Sequence, residues 1–315
     1  MRLLFGLLLL VATPAAAEER YALVVSGATG GEDYAQQYEK WTTALQASLV
    51  ERLKFRPEHV TLLTEGAAPT LAATAANVRR ALASVRQRMT RDDLLFVILI
   101  GHGTFDGLDA KFNLVGPDLE SAEWGALLRP LPGRLVVVNT TAGSFPFLER
   151  LAGPRRVVIT ATDSPAQRFD TVFAEHFISA FADQAADLDR NARISVWEAF
   201  ASASAAVKRH YQQRGQLSTE RALLDDNGDG VGSDSTEPGQ DGAQASRMYL
   251  DESAPGAAPT DEVLLKLLQR KATLEAEVED LKIRRTFMPA DEYAKEFERI
   301  MIELAKVSQE IRQRT

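Results

Sequence analysis

The chain contains no cysteine among its 315 residues. No disulfide can form and no thiol is available as a nucleophile, so a packed hydrophobic core must supply the stability. Positive charge is also in short supply. The 36 Lys and Arg stand against 44 Asp and Glu, a net charge of −8, and the basic residues are scattered rather than clustered. That balance argues against a nucleic-acid partner. Histidine occurs four times, which leaves few positions for a general base. No apolar run approaches the ~20 residues that a membrane span needs.

The longest apolar stretch lies at the start. Arg2 supplies a positive end, residues 3–12 are apolar, and Ala15, Ala16 and Ala17 form a small-residue cleavage site. This is the pattern of a signal peptide over residues 1–17, with the mature chain beginning at Glu18. The expected destination is the periplasm or the exterior.

Beyond it, short runs rich in Val, Ile and Leu recur at residues 21–26, 60–64, 94–100, 135–139 and 156–160. They are apolar throughout rather than alternating, as strands buried on both faces of a parallel sheet are. Helical spacing appears between them: Tyr34, Tyr38, Trp41, Leu45 and Leu49, then Val78, Leu82, Val85 and Met89. Strand–helix alternation predicts an α/β sandwich with right-handed crossovers over residues 18–230. Residues 231–259, rich in Gly, Ser, Asp, Ala and Pro, read as a solvated linker with one small docking element at Met248, Tyr249 and Leu250.

Two strand ends carry polar motifs, where α/β sheets bind their ligands. The strand at 94–100 runs into Gly101, His102 and Gly103; the strand at 135–139 runs through Asn139 into Thr140, Thr141, Ala142, Gly143 and Ser144. A histidine and a nucleophile on neighbouring strand ends would make a dyad, with glycines admitting substrate to the backbone. A further glycine-rich turn, Gly27 to Gly31, invites comparison with a dinucleotide fingerprint. Its third glycine position holds Asp33 instead, and no acidic residue ends the next strand, so a tight turn is the better account.

The stretch from Asp93 through Gly103, the segment Lys111 to Leu119, and the Val-rich strand before Asn139 resemble the caspase–legumain superfamily of cysteine peptidases, in particular its legumain-type branch. The resemblance covers roughly residues 21–224 and implies a caspase-like, mostly parallel sheet flanked by helices. It makes His102 the general base and the Gly103 amide part of an oxyanion hole. It places the missing cysteine at Thr140 by the legumain pattern or Thr141 by the caspase pattern. Ala35 stands where legumains carry the arginine that lines their asparagine pocket. Nucleophile and specificity residue are thus both replaced. The expected function is an exported pseudopeptidase serving as a binding or assembly scaffold for a protein or peptide. The alternative is an active peptidase using a hydroxyl of Thr140, Thr141 or Ser144 with His102, which would need a carboxylate to orient the histidine.

Residues 187–198 match a calcium loop, with oxygen donors at Asp187, Asp189, Asn191, Ser195 and Glu198 and the carbonyl position at Arg193. Position six is Ala192 where the turn favours glycine, and Ser195 with Glu198 also spells a capping box. Asp225, Asn227 and Asp229, followed by Gly230, form a second, shorter acidic loop. Calcium is the expected cofactor if either loop binds metal; otherwise both are Asx or glycine turns.

Residues 260–315 predict a helical hairpin. Thr260 suits the first cap and Pro289 the first turn of the second helix. Leu267, Leu274 and Leu281 repeat every seven residues, and Tyr293, Phe297, Ile300, Leu304, Val307 and Ile311 alternate four and three apart, a coiled-coil seam. A two-helix hairpin leaves that stripe partly open, so the expectation is a homodimer or a brace against the α/β domain.

Overall fold

In the computed structural model, β1 (Arg20–Ser26) and β3 (Leu94–Ile100) are each buried along all seven residues. The structure describes residues 18–234, 241–251 and 288–312, together with 267, 270, 274, 277, 278, 281 and 285. The proposed signal peptide and Thr260 lie outside the described residues. The chain divides into two compact units, Met1–Glu252 and Ser253–Thr315.

The first unit is built by alternation. After β1 come α1 (Glu32–Ala47), β2 (Val60–Leu63) and α2 (Ala75–Arg88), and β3 leads into a small antiparallel sheet of β4 (Gly103–Phe105), β5 (Ala110–Phe112) and β6 (Leu119–Glu120). Then follow α3 (Ser121–Leu128), β7 (Arg134–Asn139), α4 (Phe147–Leu151), β8 (Arg156–Thr160), α5 (Phe173–Ala180), α6 (Val196–Gln213) and β9 (Leu223–Asp225). The main sheet has the order β2-β1-β3-β7-β8-β9, parallel throughout except for β9 against β8. The five parallel strands fall where the apolar runs predict them. The short β9 has no such run and is paired only because the chain returns along β8.

Alternate residues of each strand feed two cores, one per face. Ala22, Val24, Phe96, Ile98 and Val138 pack with α1, α5 and α6, whereas Leu23, Val25, Leu95, Val97 and Val137 pack with α2, α3 and α4. The first unit thus forms the predicted mixed α/β layers, helices covering both sides of a mostly parallel sheet.

At the end of this unit the expected docking element around Met248 and Leu250 forms, but the folded stretch around it is longer than a solvated linker would give. Residues 241–251 are folded onto the unit, with Ala245, Met248 and Leu250 almost fully buried. The Val196 amide donates to the Met248 carbonyl at 2.8 Å, and the Arg20 guanidinium donates to the Leu250 carbonyl at 2.6 Å. A segment poor in apolar residues docks because Ala245, Met248 and Leu250 are all spent on one contact.

In the second unit, Ala290–Arg312 is one helix with an apolar stripe. Ile300 and Val307 are buried in one apolar cluster with Leu274, Val278 and Leu281, flanked by Leu267, Tyr293, Phe297, Leu304 and Ile311. No described helix is long and apolar enough to cross a membrane.

Candidate functional site

The strand order fixes where a ligand should bind. From β1 the chain steps outward to β2, then returns past β1 to β3 and continues the other way, so the direction reverses between β1 and β3. The crevice beyond the carboxyl ends at such a reversal is the usual ligand site of an open α/β sheet. Gly27 follows β1 there and Gly101, His102 and Gly103 follow β3. A Cβ at Gly27 would fall 2.1 Å from the Asn113 carbonyl oxygen, so only glycine lets the end of β1 pack against the segment that follows β5.

His102 stands in a nest of aromatic rings. The Tyr34 ring lies edge-on at 4.6 Å and the Tyr38 ring at 5.8 Å between centres. Its Nε2 is 3.1 Å from the Thr29 carbonyl oxygen and 3.3 Å from the Tyr38 hydroxyl. A carbonyl can only accept, so Nε2 carries the proton that bonds Thr29. Nδ1 faces a carboxylate, Asp170 Oδ1, at 3.6 Å. The other Asp170 oxygen accepts from the Tyr34 hydroxyl at 2.5 Å. Hydrogen bonding to Asp170 pushes the Tyr34 hydroxyl pKa upward, and burial pushes Tyr38 further still. Both stay protonated. The recess beside His102 holds only about 60 Å³ and is bordered by Tyr34, Tyr38, Trp41, Arg168, Asp170 and Thr171.

Asp170 is the carboxylate that faces Nδ1, and the sequence does not reveal it. It lies 68 positions beyond His102, in an irregular segment with no motif around it. Tertiary structure brings it in through two ties. The Thr171 hydroxyl donates to the Thr140 carbonyl, and the buried Glu220 carboxylate accepts from the Val172 and Phe173 amides.

The hydroxyls at the end of β7 do not complete a dyad. Thr140 is 2 % exposed and its hydroxyl donates to the Leu99 carbonyl at 2.8 Å. The Ser144 hydroxyl pairs with Thr162 Oγ1 at 2.9 Å. Thr141 is fully buried, its hydroxyl has no hydrogen-bond partner among the described residues, and that oxygen lies 2.4 Å from where a Cβ on Gly103 would stand. Thr141 therefore packs on the backbone of Gly103, the group that would serve an oxyanion. Thr140, Thr141, His102 and Gly103 are neighbours, yet none of these hydroxyls is hydrogen-bonded to the imidazole.

Ala35 borders a separate groove of about 480 Å³ with Ser26, Thr29, Glu39, Leu62 and Glu65. Glu65 accepts from the Thr29 amide at 2.8 Å and hydroxyl at 2.6 Å, and these bonds pull its pKa down. A carboxylate thus occupies an amide of the glycine-rich turn that a phosphate would require, in keeping with the tight-turn reading.

The loop after Asp187 has the backbone that its sequence suggests. Ala192 adopts φ 66° and Arg190 φ 59°. Asp187 accepts from the Asn191 amide at 3.0 Å and the Ala192 amide at 2.8 Å. Carboxylate oxygens of Asp187, Asp189 and Glu198 lie within 4.8 Å of one another, the one such group of three among the described residues. Burial first, then Glu198 and Asp187, push the Asp189 carboxyl up against the pull of its hydrogen bonds from Asn191. The capping box also forms: Glu198 accepts from the Ser195 amide and hydroxyl, both at 2.8 Å, and Ser195 accepts from the Glu198 amide at 3.2 Å. The Arg193 side chain turns away to Asp251 at 2.6 Å and stacks on Tyr249.

In the second loop, Asp225 accepts from the Gly228 and Gly230 amides, both at 2.7 Å, and both glycines have positive φ. Asn227 and Asp229 each bond an amide two residues on. These are Asx turns. Nearby Asp241, 5 % exposed, is pushed up to about 6 by burial, with Asp225 and Asp226 adding to it.

No family model and no curated protein matches the sequence. Among solved structures, the chain is similar to a protein of Geobacter sulfurreducens over 66% of this chain and 92% of that one, at 16% identity and a TM-score of 0.42. It is similar to caspase-1 of Spodoptera frugiperda over 66% of this chain and 86% of that one, at 7% identity and a TM-score of 0.43.

Proposed function

We propose that this protein is an exported, hydrolytically silent relative of the caspase–legumain peptidases, its strand-end cleft retained for binding a peptide or protein. One observation carries the reading. Both nitrogens of His102 face groups other than a nucleophile, Thr29 and Asp170, while Thr140 and Ser144 have their hydroxyls committed elsewhere. A general base needs a lone pair directed at the proton it removes. A threonine hydroxyl is also a far weaker nucleophile than a thiolate near neutral pH.

A fluorogenic peptide library compared between the wild type and His102→Ala tests this. The expected result is background hydrolysis in both, including after Asn and Asp. Turnover that disappears with the histidine would overturn the proposal in favour of the second reading, which Asp170 supports: Thr140 as nucleophile, His102 as base and Asp170 as its orienting carboxylate.

Calcium binding to Asp187, Asp189, Asn191, the Arg193 carbonyl and Glu198 is part of the same proposal. The donors are all oxygen, and three carboxylates already converge. At about tenfold excess over Kd, calcium should stabilise the α/β unit by ~1.4 kcal/mol. Melting with calcium and with chelator checks it; the rise should vanish in Asp189→Asn. Equal midpoints for the wild type would leave the loop to its capping box.

The C-terminal helix is proposed to join a second copy, because its seam residues Tyr293, Phe297, Leu304 and Ile311 are only partly covered. Light scattering on the full chain should give a dimer at micromolar concentration. A monomer would refute that.

A further inference from the structure

We propose that His176 and His210 form a site for one borderline transition-metal ion, with zinc as its ordinary occupant. The two side chains project from facing helices, His176 from the middle of α5 and His210 from the last turn of α6. Their ring centres lie 5.9 Å apart with planes at 74°. A zinc-bound imidazole nitrogen sits about 2.0–2.1 Å from the metal, and the ring centre roughly 1.2 Å beyond it. Two rings sharing one ion can then have centres up to about 6.4 Å apart, and about 5.2 Å at the tetrahedral angle. The observed separation falls between these values.

A second observation points to the same ligand. Nε2 of His176 is buried and has no hydrogen-bond partner among the described residues. A buried nitrogen left unpaired carries a desolvation cost that a coordinate bond removes. Burial is the first cause holding both imidazoles below the usual histidine pKa; Arg214 adds to it at His210, and Glu175 opposes it at both. Neutral imidazole is the ligating form. The rings border a hollow of about 320 Å³ that also includes Ser179, Ser202 and Gln213, so hydroxyl or amide oxygens and water can complete four-coordination.

Nitrogen donors of this kind select zinc, nickel or copper over calcium and magnesium. Arg209 also borders the hollow. It is exposed, so solvent screens its charge and it weakens the site without filling it. Nothing in the peptidase-like cleft or the acidic loops takes part, and the inference is independent of the function proposed above.

Titration calorimetry with zinc chloride, on the full chain with excess calcium present to occupy the oxygen sites, tests it. One equivalent of zinc should bind, and His176→Gln or His210→Gln should each weaken it by at least about tenfold, the loss that even an outer-shell partner carries. The imidazole C2–H resonances of both histidines should move together in the wild type. No uptake by the wild type would overturn the proposal, as would unchanged affinity in the double variant. His210→Gln decides the matter if His176→Gln melts early, because His210 lies at the end of its helix.

Discussion

Gly27→Ala should lower the unfolding free energy by ~3 kcal/mol or more, with the urea midpoint falling accordingly. The new methyl would fall 2.1 Å from the Asn113 carbonyl oxygen and 3.1 Å from the Phe112 ring. A side chain could rotate away, but a backbone carbonyl cannot. The Asn113 oxygen also accepts the Ala28 amide at 3.1 Å, and the Gly27 amide bonds the Ile100 carbonyl at 2.9 Å. Relieving the clash would separate β1 from the segment that follows β5 and open the crevice that holds His102. Gly153→Ala serves as the control, because its nearest contacts are at 3.6 Å, ordinary van der Waals distance. That variant should stay within about 0.5 kcal/mol of wild type. Equal losses at the two positions would refute the account.

Glu220→Ala should cost about 3 kcal/mol for a different reason. This carboxylate is 4 % exposed and accepts from the Val172 amide, the Phe173 amide and the Tyr211 hydroxyl. Burial raises its pKa above 4.5, with the two amides and Tyr211 pulling the other way. The charge is therefore not comfortable, yet removing it strands three donors, each worth about 1–3 kcal/mol when buried without a partner. Those amides follow directly on Asp170 and Thr171, so the cleft depends on them.

The pH dependence has a definite sign. A carboxyl with a raised folded pKa contributes most below its unfolded value and loses that contribution as pH rises through the folded one. Wild type should gain stability relative to Glu220→Gln as pH falls from neutrality toward 4.5. A constant difference across that window would show that Glu220 does not titrate there.

The sequence by itself determined a good deal. Runs of Val, Ile and Leu without polar alternation can be satisfied only by strands covered on both faces, and the five parallel strands lie on them. Local chemistry was equally legible: the Ser195–Glu198 capping box and the strained turn at Ala192 need only neighbours a few residues apart. The absence of cysteine excluded a thiol nucleophile outright.

What only the tertiary structure decided involves partners distant in the chain. Asp170 reaches His102 because Thr171 and Glu220 hold an irregular segment in place. The docking of Met248 and Leu250 was legible as an apolar break in the linker, but the surface that receives them, a core formed by α1, α5 and α6, was not. His176 and His210 meet because two helices lie side by side, although the two residues are 34 positions apart in the chain. Periodicity reports which face of an element is buried; it carries no information about which distant side chain waits on the other side. Burial is a property of one element, and a functional contact is a property of two.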